Sequence, residues 1–78
     1  MKIQILGMGC PKCQTLAANA KEAIAKAGLS ASVEKVTDID EISNMGVMVT
    51  PAIALDGEVK KTGKVLSVDE IIALVRGE

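Results

Sequence analysis

Cys10 and Cys13 are the only two cysteines in a chain of 78 residues, and their setting points to redox chemistry rather than to a structural cross-link. The segment Gly7-Met8-Gly9-Cys10-Pro11-Lys12-Cys13 carries an apolar run into a helical pattern. Pro11 suits the first helical position, so Cys10 is expected at the N-cap and Cys13 at N3. A sulfur at the N-cap faces the unpaired N–H groups of the first turn. Those donors, with the positive end of the helix dipole, favour thiolate over thiol. Lys12 adds a nearby positive charge. A disulfide closing so short a loop removes only about 2 kcal/mol of unfolded-state freedom in the chain-entropy model, and strain can erase it. A staple would span a long loop, so a reactive dithiol is the better reading.

The elements that must position this pair are legible on either side of it. Lys2–Leu6 reads as a short strand, and Gly7-Met8-Gly9 as a loop. The helix opening at Pro11 carries Leu16, Ala20, Ile24 and Ala27 on one face. Asn19, Lys21, Glu22 and Lys26 fall mostly on the other, and Gly28 ends the helix. Ser32–Val36 is a second strand, which a right-handed crossover should place parallel to the first. Asp38, with Glu41 three residues on, opens a short helix through about Met45, in a capping-box pattern. Ala52–Leu55, Asp56-Gly57 and Glu58–Lys61 spell a hairpin. Ser67 and Glu70 repeat the capping-box pattern before a last helix. Its apolar face is Val68, Ile71, Ile72 and Val75, with Leu74 partly buried. The order is βαβαββα, an α/β chain expected to form a single domain over residues 1–78.

Composition narrows the chemistry. The chain has no Phe, Tyr, Trp or His. Its core must therefore be aliphatic, and no aromatic platform exists for stacking on bases. The net charge is −1, with both signs interspersed, so no footprint for nucleic acid is expected. Lys60, Lys61 and Lys64 read as the lysine guard of a hairpin edge. No apolar run approaches membrane-spanning length, and no signal-peptide core is visible. A cytoplasmic monomer is expected, in a compartment where Cys-X-X-Cys is more often catalytic or metal-binding than structural. Without His, two thiolates alone cannot complete a tetrahedral structural zinc site.

With the elements placed, the chain resembles the thioredoxin-like superfamily, and within it the small glutaredoxin-like redox-active disulfide proteins. The resemblance rests on Gly7 to Cys13 after the first strand, Val49-Thr50-Pro51 before the third, and Gly63 after the fourth. It implies a four-stranded mixed sheet flanked by helices. It also implies that Pro51 is cis and faces the disulfide, with the backbone at Thr50 pairing with an extended substrate. Three positions depart from the family pattern. Gly9 stands where thioredoxins usually carry tryptophan. Gln4 stands where they carry a buried carboxylate that assists the resolving thiol. The segment Gly63-Lys64-Val65-Leu66-Ser67 lacks the Gly-Gly-Asp-like glutathione site of glutaredoxins.

The expected activity is thiol–disulfide exchange, with no cofactor beyond the Cys10–Cys13 dithiol itself. Cys10 attacks a substrate disulfide, and Cys13 resolves the mixed disulfide. Lys12 and Pro11 tune the thiol, and Thr50 and Pro51 shape the docking groove. Met8, Val49 and Ala52 supply apolar contact around it. The expected partners are a disulfide-bearing protein and a dithiol or reductase electron donor. Two alternatives use the same residues. The loop also looks like the Gly-Met-Thr-Cys-X-X-Cys loop of heavy-metal-associated domains, which hold Cu(I) with two thiolates. Those domains run βαββαβ and end in a strand. A non-enzymatic redox sensor would use the same dithiol.

Overall fold

Side chains alternate along the first strand, Ile3 and Ile5 packing into one apolar cluster and Leu6 into another, so this strand is buried on both faces. The computed structural model describes residues 1–9 and 11–77; Cys10 and Glu78 lie outside the described residues. In chain order the elements are β1 (Lys2–Leu6), α1 (Pro11–Ala27), β2 (Ser32–Val36), α2 (Ile39–Asn44), β3 (Ala52–Leu55), β4 (Glu58–Thr62) and α3 (Val68–Arg76). The sheet order is β2-β1-β3-β4. β1 runs parallel to β2 and antiparallel to β3, and β4 is antiparallel to β3. This is the expected βαβαββα order on a four-stranded mixed sheet.

One face of the sheet is covered by α1 and α3. Ile3, Ile5, Ile53 and Leu55 meet Leu16, Ala17, Ala20 and Ala23 of α1 and Ile71 of α3 there. The other face carries Leu6, Val36, Ala52 and Ala54 under Ile42 and Val47. These residues sit at the end of the strands where α2 lies. Toward the opposite end, that face carries Gln4 and Glu34 and is open. There Lys2 Nζ pairs with Glu34 Oε2 at 3.0 Å.

Local chemistry accounts for the boundaries. Asp56 (φ 51°) and Gly57 (φ 87°) are both left-handed, as a two-residue hairpin turn matched to strand twist requires. The turn is fastened to β1: Asp56 N–H donates to Lys2 O, Lys2 N–H donates to Asp56 Oδ1, and Gly57 N–H donates to Gln4 Oε1. Beyond it β4 reaches Thr62, one residue further than the sequence suggested, because Lys60 bulges out between the pairs Ile53–Lys61 and Ala54–Val59. Ser67 and Glu70 form the full reciprocal capping box. Asp38 caps α2 by accepting from Asp40 N–H, so its partnership with Glu41 is not the one that forms.

Two parts of the α1 reading change. The buried face includes Ala17 and Ala23, because α1 packs against both the sheet and its neighbour α3 and needs a wider apolar arc than contact with the sheet alone would. Asn19 faces inward rather than to solvent, and its Nδ2 donates to Leu66 O at 2.9 Å. That bond ties α1 to the loop that leads into α3.

Leu16 is fully buried and Met48 is 96 % exposed. Leu16→Ala should cost about 2–5 kcal/mol in denaturant unfolding, and Met48→Ala about 0.5 kcal/mol or less. A second expectation concerns acid. The Glu70 carboxyl is held below its usual 4.5 by the Ser67 backbone N–H, then by hydrogen bonds from Lys64 and the Ser67 hydroxyl. The Glu34 carboxyl is lowered by hydrogen bonds from Lys2 and Gln4 and by the Lys2 charge. A carboxyl whose folded value is depressed stabilises above its unfolded value and loses that contribution as pH falls through the folded one. Glu70→Gln keeps the capping geometry but not the charge. It should lower the melting temperature near neutrality and converge with wild type in acid, so that the fall below pH 4.5 is flatter.

Candidate active site

Because Leu6 pairs with Ala52 across the antiparallel ladder, the chain leaving β1 and the chain entering β3 emerge at the same end of the sheet. The first carries the cysteine loop, the second Val49-Thr50-Pro51. Gly7 continues the β1–β2 ladder by donating its N–H to Val36 O at 3.0 Å. α1 then opens at Pro11, which puts Cys13 third in the helix, the N3 position expected. Cys13 is 5 % exposed. Pro11 and Lys12 are exposed on the same turn. The expected N-cap placement of Cys10, its attacking role and its position relative to Pro51 lie outside the described residues.

The structure brings Cys13 and Thr50 together around Gly7. A Cβ added at Gly7 would lie 3.1 Å from Cys13 Cβ and 3.9 Å from Thr50 Cβ. Thr50 is exposed and Pro51 is buried, and the peptide bond between them is cis, as the resemblance implied. Gly63, just after β4, donates its N–H to Pro51 O at 2.8 Å. It adopts φ +68°, and a Cβ there would come within 2.9 Å of Val49 Cγ1. A residue that clamps the Thr50-Pro51 loop must therefore be small and left-handed, which explains the glycine.

Two further contacts shape the loop and were not foreseen. Gln14 Nε2 donates to Gly9 O at 3.0 Å, and Thr15 Oγ1 donates to Pro11 O at 3.0 Å. The Gln14 bond holds the carbonyl immediately before the cysteine pair. A polar residue one position past Cys13 was the available signal, but nothing in its spacing says that it turns back toward the loop. Met8 and Val49 are exposed beside Thr50. With Ile39 and Met48, Met8 and Thr50 help to line a groove of about 370 Å³. Ala52 is a correction. It is fully buried in the second apolar cluster, under Ile42 and Val47, and offers no surface to a partner. Gln4, at the position of the family carboxylate, is taken up by the hairpin turn through Gly57 N–H.

Gly63→Ala should destabilise the protein by about 1–2 kcal/mol through the left-handed backbone alone, and further through the Val49 contact. Removing that contact with Val49→Ala should recover part of the loss. The check is denaturant unfolding of both single variants and the double variant.

The thioredoxin-domain family profile matches residues 1–76. A thioredoxin of Methanothermobacter thermautotrophicus is 46 % identical over 71 residues, which cover 91 % of this chain and 92 % of that one. A thioredoxin of Methanocaldococcus jannaschii is 45 % identical over 69 residues, covering 88 % of this chain and 79 % of that one. With the strand order, the buried Cys13 and the clamped Thr50-Pro51 loop already in place, these matches show that the chain belongs to the thioredoxin-domain family.

Proposed function

We infer that the protein is a thiol–disulfide oxidoreductase that works through the Cys10-Pro11-Lys12-Cys13 dithiol. The observation that carries this reading is the burial of Cys13 in the first turn of α1 beside the Thr50-Pro51 loop, in a chain whose family is thioredoxin. Cys10 thiolate attacks one sulfur of a substrate disulfide, and the other sulfur leaves as a thiolate. Cys13 then attacks Cys10, releasing the second substrate thiol and leaving a Cys10–Cys13 disulfide. A buried second thiol suits this order of events, because it is shielded from outside disulfides and reaches only its neighbour. Thr50 offers backbone groups to an extended substrate segment, and the exposed Met8, Met48 and Val49 offer it apolar contact.

The proposed partners are a disulfide-bearing protein and a dithiol or reductase that returns the electrons. The proposed working state is a cytoplasmic monomer. Among the described residues no helix is long and apolar enough to cross a membrane. The Cu(I)-carrier alternative has the element order βαββαβ. The described elements here run βαβαββα, with a helix after β2 and with α3 packed through Ile71 into the same cluster as α1.

Reduced protein should reduce the interchain disulfides of insulin. Cys13→Ser should retain a thiol that alkylates rapidly near neutral pH, with an apparent pKa below the ~8.5 of an ordinary cysteine. Cys10→Ser should leave a thiol that alkylates slowly. Faster alkylation of the second variant would reverse the two roles, and wild-type protein inert toward insulin would remove the activity.

A further inference from the structure

Gly7 is buried at the junction of β1 and the cysteine loop, and the sulfur of Cys13 occupies the space its side chain would fill. We propose that Gly7 is the seat of the resolving thiol, a positioning residue that sets the rate of the second exchange step and not the first. The proposal rests on the oxidoreductase reading above.

A Cβ on Gly7 would overlap Cys13 Sγ outright and lie 3.1 Å from Cys13 Cβ. The backbone on neither side is free to withdraw. Gly7 is held in the ladder by its bond to Val36 O. Cys13 lies in the first turn of a helix whose next inward residues, Leu16, Ala17 and Ala20, are packed into the core, and Gln14 ties the same turn to Gly9 O. The space that is available is a cavity of about 30 Å³ lined in part by Gly7, Gly9, Cys13, Gln14 and Lys35. That volume suffices for a small displacement of a side chain. A side chain at position 7 therefore moves the sulfur rather than the backbone. Gly7 has no left-handed φ to explain it; the close approach of sulfur is its reason.

The chemistry makes the two steps separable. In the resolving step the Cys13 thiolate attacks the Cys10 sulfur of the mixed disulfide. The Cys10–Cys13 bond forms, the bond from Cys10 to substrate breaks, and the substrate sulfur leaves as a thiolate that takes a proton from water. The two electrons that reduce the substrate come from the two cysteine thiols. The first step needs only the Cys10 sulfur. A displacement of about 1 Å in a reacting atom can cost on the order of a hundredfold in rate, and this cost falls on the step that uses Cys13.

The test is rapid mixing of reduced Gly7→Ala with an aromatic disulfide that releases one coloured thiolate on attack and a second on resolution. The first release should stay within about twofold of wild type, and the second should slow by tenfold or more, in keeping with a misplaced nucleophile. A folded Gly7→Ala with wild-type second release overturns the proposal. Melting temperatures form a second arm, which also covers a variant that folds poorly. Gly7→Ala should lower the melting temperature less in a Cys13→Ala background, where the sulfur is gone, than in wild type. Equal losses in both backgrounds would likewise overturn the seat. Wild-type protein that releases neither thiolate would instead overturn the oxidoreductase reading, whatever the melting temperatures show.

Discussion

Leu6 of β1 and Ala52 of β3 face each other across an antiparallel ladder, and the placement of every candidate residue follows from that register. The pairing makes the end of one strand and the start of another neighbours. It delivers the cysteine loop and the Thr50-Pro51 loop to one edge although about forty residues separate them in the chain. The side-chain period of a strand is two, so a slip of one residue would exchange the faces. Ile53 would leave the cluster under α1, and Ala52 would leave the cluster under α2. Both apolar clusters therefore enforce the register that the chemistry needs. Gly63 adds a second restraint from β4 by bonding Pro51 O.

The elements were legible because each carried its own local signal. Alternation marked β1, Asp56-Gly57 marked the hairpin, Ser67 with Glu70 marked the last helix, and Pro11 and Gly28 bracketed the long one. The features that escaped depend on what lies across from a residue. Asn19 reads as solvent-facing until Leu66 O is seen opposite it. Ala52 reads as available for contact until Ile42 and Val47 cover it. The alanines of α1 gave the period but not the width of the buried arc, which α3 sets. Gly7 was one loop glycine among several, and only the position of the Cys13 sulfur distinguishes it. Of the cysteine pair, Cys13 stands where the helix start implied, while Cys10 lies outside the described residues.

A core without aromatic rings must obtain its density from close approach. Ala17, Ala20 and Ala23 let α1 lie near both the sheet and α3, and short side chains at 52 and 54 let α2 sit low on the opposite face. The cost of that economy is sensitivity to volume, since interiors packed at crystal-like density have few voids into which an added group can go. The contact between Gly7 and the Cys13 sulfur belongs to the same pattern at the edge where the core meets the loop.

The uneven cover of the sheet has a dynamic consequence. At the end that holds the loops, the strands are sealed above and below by apolar side chains. At the hairpin end, one face carries Lys2, Gln4 and Glu34 and meets water. Opening fluctuations begin where few apolar contacts resist them. Amide exchange should thus grade along the strands, fastest beside the hairpin and slowest beside the dithiol. Cys13 and the Thr50-Pro51 loop lie at the end of the sheet that should open least, insulated from the motions of the other end.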